Sequence, residues 1–324
     1  MTDESRKTEL LRREAAFWDR QEEKIKDLYA RPHDWRFVPE IADRIIAPKM
    51  RFIDRFATTA GKNVKSLLDI GCGNGWFVHM AARQKIKAYG CDLSPKKVEA
   101  AERAAREQGL ADYCGWFAGD IFRMELPEKV DLISAHGSLH HFPNLKEALP
   151  RLVEKFLKPG GIMLFVEPNH EGMSPGWQKF LLGLANSPRW RRYFDVDFYL
   201  EVTGQKAGAA APAPARQPAT PSPVETEEAW NIRGESPAGL EFFGEEPDMR
   251  AILLERYDLI EEKYFLYFLG HLSNACYIYM KSPFLKRLYR FLLPVFIALD
   301  DFLCRFRRYN KWAEEGAWVL KRRD

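Results

Sequence analysis

The stretch Leu67-Leu68-Asp69-Ile70-Gly71-Cys72-Gly73-Asn74-Gly75 decides how the chain is read. A short apolar run enters a turn with glycine at every second position. An apolar helical pattern through Trp76, Phe77, Met80 and Ala81 follows. Glycines in such a turn let the backbone bend sharply and let a ligand sit against the amides. A loop built for a dinucleotide pyrophosphate spaces its glycines as GxGxxG. Here the spacing is GxGxG, and Trp76 follows it. That bulk crowds a pyrophosphate. Asp69, just before the loop, repels phosphate and attracts an ammonium group.

Outward from this loop, residues 65–166 alternate apolar runs with amphipathic stretches. Strands are predicted at 67–70, 86–91, 116–118, 130–135 and 162–166. One helix is predicted to start with Ser94 as N-cap and Pro95 at its first position, and to stop at Gly109. Another starts near Asn144 and Glu147, which have capping-box spacing, although Pro150 must kink it or delay its start. Strand-helix alternation argues for a parallel sheet covered on both faces. Residues 1–60 read as a helical cap with breaks at Pro32, Pro39 and Pro48. Residues 205–223, rich in alanine and proline, read as a disordered or extended insertion. The last strands are expected at 264–268 and 317–320, with a long excursion over 270–315 between them.

Several further segments resemble class I S-adenosylmethionine-dependent methyltransferases, in the family's order and spacing. LLDIGCGNG is similar to the first motif. Tyr89-Gly90-Cys91-Asp92-Leu93-Ser94 resembles the second strand with its terminal acid, and Ala118-Gly119-Asp120-Ile121 the acidic loop after the third. Residues 130–142 resemble the fourth strand and its loop, and Leu157-Lys158-Pro159-Gly160-Gly161 the turn into the fifth. The resemblance covers about residues 65–168 and implies a three-layer α/β/α Rossmann-like fold. Its seven-stranded sheet is mostly parallel with an antiparallel last strand. Residues 61–324 would form that domain, with 168–250 as an acceptor-lid insertion. The implied cofactor is S-adenosyl-L-methionine. The resemblance implies that Asp92 accepts bonds from the ribose hydroxyls, as an acceptor-only carboxylate can. Asp120 would accept from the adenine amino group, with Leu93 and Ile121 against the ring. Asp69, with the backbone carbonyl of His136, would meet the methionine ammonium, while Gly71, Cys72, Gly73, Asn74 and Gly75 form the loop.

Methyl transfer needs a base only when the acceptor arrives protonated. His136, His140 and His141 lie on the loop after the fourth strand, and His170 follows the fifth. His140 and Glu167 are the leading catalytic candidates. The carboxylate spacing that a metal site would need is missing, so no metal is expected.

The acceptor is expected to be a small molecule. Nucleic-acid methyltransferases of this fold carry a (D/N)PP(Y/F) motif or a Pro-Cys nucleophile, and AHGSLHHF has neither. A net charge of +3 is also too weak to imply nucleic acid. The charge is unevenly placed, with a net +6 over residues 281–324 against −3 before them. The lid segment is aromatic, through Trp177, Phe180, Trp190, Tyr193, Phe194, Phe198 and Tyr199. These residues form either the lid's own core or an apolar acceptor pocket.

Within 283–308, Phe284, Leu288, Phe291, Val295, Leu299, Phe302 and Phe306 recur at steps of three and four, with basic residues at both ends. Two readings stand for this helix: it lies in a membrane interface, or it packs on the domain or a partner subunit. The first favours a lipophilic acceptor such as a quinone or polyprenyl lipid. With no secretory signal in MTDESRKTELLRREAAF and five cysteines in no CxxC pair, a cytoplasmic protein is expected, peripheral on the inner face of a membrane under the first reading. Two alternatives stand beside a methyltransferase. One is a scaffold using its carboxyl-terminal segment for binding; the other, disfavoured by Trp76, is a nicotinamide dehydrogenase.

Overall fold

A computed structural model describes residues 3–30, 32–59, 64–169, 192–198 and 248–323, with positions 183, 187 and 189. The insertion at 205–223 lies outside the described residues, as do Trp177, Phe180, Trp190, Tyr199 and His170.

The central strand is β1 (Ser66–Ile70), buried at every position. That is what a parallel strand covered on both faces requires. It pairs in parallel with β2 (Lys87–Asp92) on one side and β4 (Val130–His136) on the other. β3 (Cys114–Ala118) extends the sheet beyond β2, and β5 (Leu157–Pro168) lies beyond β4. β7 (Glu315–Arg322) runs antiparallel between β5 and β6 (Tyr257–Phe265), giving the order β3-β2-β1-β4-β5-β7-β6. Strand order reverses between β1 and β4, and the carboxyl ends of strands at such a switch point form the ligand crevice of an open α/β sheet.

Alternating side chains of one strand enter opposite layers. Leu68 and Ile70 join a core with Leu149, Phe156 and Leu253, from α5 (Leu145–Phe156) and α6 (Met249–Arg256). Leu67 joins the other core, with Ile41, Ile53, Phe77 and Leu293. Those come from α2 (Pro39–Asp54), α3 (Trp76–Arg83) and α8 (Pro283–Leu303). The result is the expected three-layer α/β/α arrangement. α4 (Pro95–Glu107) starts as predicted: Ser94 Oγ accepts from Lys97 N at 3.2 Å, and Pro95 takes the first position.

Three local expectations are corrected and one, for Pro150, is narrowed. Pro48 does not break α2, whose Ile41, Ala42 and Ile45 before it and Phe52 and Ile53 after it are all buried. Packing on that scale outweighs the ~3 kcal/mol a proline costs inside a helix. Pro150 likewise sits inside α5 without delaying it. Asn144 forms no capping box. Its φ is +52°, its side chain makes no cap bond, and its backbone carbonyl accepts from Glu147 N instead. β6 begins well before the predicted 264–268, because it is an edge strand. Its charged Glu261, Glu262 and Lys263 hide the apolar alternation.

The chain between β6 and β7 is anchored by one buried side chain. Leu266 turns with φ +65°, uncommon for a residue with a side chain. α7 (Leu269–Ser273) follows. Asp300 of α8 accepts from Leu266 N at 3.1 Å, Tyr267 N at 3.3 Å, Phe268 N at 2.8 Å and Leu269 N at 3.0 Å. Pro294 leaves the Arg290 carbonyl without its helical donor, and Arg44 of α2 supplies one at 3.3 Å. Asp300→Ala should therefore strand four amides in the interior. A loss of at least ~3 kcal/mol is expected, a fall in Tm of roughly 10 °C, read by thermal unfolding of the purified variant.

Candidate active site

A cavity of about 340 Å³ opens over the carboxyl ends of β1, β2 and β4, the size of a small-ligand site. Gly71, Cys72, Gly73, Asn74, Asp92, Leu93, Asp120, Ile121 and His136 all line it. Asp92, buried at the end of β2, accepts from Gly73 N through Oδ2 and from Ser94 N through Oδ1, both at 2.9 Å. Each oxygen keeps one lone pair for a ligand donor. Asp120 spends Oδ1 on Phe122 N at 3.0 Å.

Two of the loop glycines serve packing. A Cβ on Gly71 would fall 2.3 Å from Ser138 Cβ, and one on Gly75 would fall 2.5 Å from the Trp116 ring. Gly75 does not reach the cavity, whereas Gly73 faces open space. The third glycine thus makes room for an indole, not for a pyrophosphate.

Asp69 also lies outside the lining. It is buried and accepts from Ser134 Oγ at 2.8 Å. Burial pushes its carboxyl up to about 8 and pushes His136 down to about 3, so the two are uncharged at neutral pH across 3.9 Å. Both ring nitrogens of His136 lack a hydrogen-bond partner, and the ring rests 4.6 Å from Phe77 and 5.0 Å from Trp76. A buried imidazole so placed on a cavity wall is ready for a polar ligand group. Burial raises the Cys72 thiol, which leaves it a packing residue rather than a redox group.

His140 and Glu167, the expected catalytic pair, are placed together but outside the cavity lining. Glu167 is fully buried at the end of β5. Its Oε1 accepts from Ser138 N at 3.0 Å and Leu139 N at 2.9 Å, and its Oε2 meets His140 Nδ1 at 2.7 Å. This pair fastens the loop after β4. The histidines that face the cavity are His136 and His141.

His141 has a partner that the sequence alone did not disclose. α1 (Asp3–Ala30) lays Leu11, Glu14 and Trp18 on the cavity. Glu14, fully buried, holds its Oε1 3.2 Å from His141 Nδ1 and accepts from Trp18 Nε1 at 2.7 Å. Lys97 of α4 lies 4.0 Å over the Trp18 ring, and Ser94 Oγ donates to Asp19. The signal was present as an i, i+3, i+7 face of one helix, Leu11-Glu14-Trp18. Burial, then the neighbouring His140, lowers the His141 pKa below the ordinary histidine value.

Glu14, Asp92 and Asp120 line the cavity against one cation, Lys97. Such a wall favours a cationic ligand over a phosphate-bearing one. Residues 62–189 match the family described as "Methyltransferase domain". Those residues form a methyltransferase domain similar to the class I, S-adenosyl-L-methionine-dependent ones. Three curated relatives match part of the chain. A ubiquinone biosynthesis O-methyltransferase of Chromobacterium violaceum is 32% identical, over 36% of this chain and 49% of its own. A norajmaline N-methyltransferase of Rauvolfia serpentina is 32% identical, over 41% and 46%. A probable chloroplastic tocopherol O-methyltransferase of Oryza sativa is 30% identical, over 40% and 39%. The chain spans about half the length, or less, of these relatives.

The cavity of this methyltransferase domain fits its cofactor. Asp92 offers paired acceptors for a diol, Leu93 and Ile121 give apolar walls, and no cationic phosphate cradle is built at Gly71–Gly75. Asp92→Ala is expected to weaken S-adenosyl-L-methionine binding ten- to hundredfold, about 1.5–3 kcal/mol, by isothermal titration. It should also loosen the loop, because Gly73 N and Ser94 N lose their acceptor. Glu167→Gln should lower Tm far more than it changes cofactor affinity, read by paired melting and titration.

Proposed function

We propose that this protein methylates a hydroxyl of a small, lipophilic acceptor of quinol, polyprenyl-phenol or lipid-like type, with His141 as the base. The observation that carries the proposal is the buried Glu14–His141 pair on the wall of the cavity that Asp92 also lines. The O-methyltransferase relatives of ubiquinone and tocopherol biosynthesis support the class of acceptor. Leu11, Trp18, Trp76, Phe142 and Pro143 give the cavity an apolar side to match.

When bound, S-adenosyl-L-methionine supplies an electrophilic methyl group on a sulfonium. The chain's part is placement and proton removal. Asp92, Asp120 and the glycine loop hold one partner in register with the other, which supplies most of the acceleration in such displacements. His141 is neutral at pH 7 and takes the acceptor's proton, while Glu14 orients the ring and stabilises the imidazolium that forms. His136 is too weak a base at about 3, and it contributes a neutral polar wall. The amino-terminal helix α1 serves as the cap that closes this chamber, through Leu11, Glu14 and Trp18.

His141→Asn should lower kcat by roughly 10²–10⁴ and leave cofactor affinity unchanged, with radiolabelled methyl donor and a panel of quinols and phenols as the assay. The neutral ring is the active form and its pKa is depressed. Wild-type activity should therefore rise with pH along a limb below the ordinary histidine range, and the variant should lose that limb. An unchanged rate in His141→Asn would remove the residue from the chemistry.

A further inference from the structure

α8 has two faces of opposite character. Tyr289, Leu293 and Asp300 are buried against the domain. On the other side Phe284 is 71% exposed, Phe291 80%, Val295 62% and Phe302 51%, with Leu288, Leu299 and Phe306 also exposed. At 100° per residue the six of these positions that lie within the helix fall within an arc of about 80°, and Phe306 follows just past its end. Single exposed apolar residues are ordinary, but an aligned stripe marks an interaction surface.

Charge identifies the occupant. Arg287, Arg307 and Arg308 are exposed at the two ends of the stripe. The two acids of the helix are turned away from such a role. Asp300 is buried under four amides, and Asp301 pairs with Lys263 at 2.7 Å and Arg305 at 3.0 Å. A second copy of the chain fits poorly. A two-fold contact sets the face against itself, and with both ends basic it would bring like charges together in either direction. An apolar stripe with basic ends and no opposing acid matches an anionic bilayer surface, with the helix lying in the interface.

The topology agrees. β6 ends at Phe265 and β7 begins at Glu315, opposite Pro168 at the end of β5. The excursion carrying α8 thus leaves and rejoins the sheet at the edge on which the cavity lies. No helix among the described residues is long and apolar enough to cross a membrane, and docking from one side requires none.

We propose that the exposed face of α8 docks this protein on anionic lipid surfaces. The inference stands apart from methyl transfer, since neither the stripe nor its arginines line the cavity. The test is co-sedimentation of the full chain with vesicles of phosphatidylcholine, with and without phosphatidylglycerol. Wild type should bind the anionic vesicles, and binding should weaken but persist when salt is raised from about 50 mM to about 500 mM. Phe284→Glu with Phe291→Glu should reduce binding at least roughly tenfold, and Phe284→Ser with Phe291→Ser should do the same without added charge. Both pairs should keep the wild-type melting temperature, because the replaced rings touch solvent. Arg287→Glu, Arg307→Glu and Arg308→Glu together should abolish the preference for phosphatidylglycerol. Wild type left in the supernatant with both vesicles would overturn the proposal. So would serine variants that bind as wild type does, or variants that melt early or turn a dimer into a monomer, since the face would then be covered by protein.

Discussion

The site depends on the buried carboxylate of Glu167 at the end of β5, which gathers the loop leaving β4. It takes the amides of Ser138 and Leu139 and the Nδ1 of His140. Ser138 in turn donates to the Ile70 carbonyl at 2.6 Å, so the loop is tied to the end of β1. That closeness is why position 71 has no room for a side chain. Hydrogen bonds to a charged acceptor contribute about 1.5–3 kcal/mol each, enough to hold a loop that would otherwise follow its own entropy. Because His140 is clamped inward, His141 is directed to the cavity and to Glu14. The cavity wall and the proposed base are thus set by the same few bonds.

Electrostatics then selects the ligand. The cavity carries three carboxylates and one lysine, while burial leaves Asp69 and His136 uncharged behind and beside them. A dinucleotide brings negative phosphates into such a field; S-adenosyl-L-methionine brings a sulfonium and an ammonium. The glycine spacing makes the same choice sterically, since Gly75 yields its space to Trp116. Charge and shape converge without any single residue deciding alone.

The parts legible in the sequence are those written locally. Glycines at every second position, an acid ending β2 and apolar runs of strand length sit within a few residues of one another. Together they placed the parallel core and most of the residues that line the cavity between β1, β2 and β4. The periodic stripe of α8 was legible for the same reason; in the structure that stripe is exposed, while Tyr289, Leu293 and Asp300 are buried. What the sequence hid depends on distant partners. Nothing near His140 tells that Glu167 will turn it inward. Nothing near His141 tells that Glu14, on a separate helix, will meet it. Pro48 sits inside a helix because packing offsets what a proline removes. Edge strand β6 was masked by the charges that protect an edge.

The most direct test of the account is isothermal titration of the wild-type chain with S-adenosyl-L-methionine and, separately, with NAD. The account predicts one-to-one binding of the first and none of the second. Binding of NAD in the same cavity, or no heat with S-adenosyl-L-methionine at any pH, would contradict it.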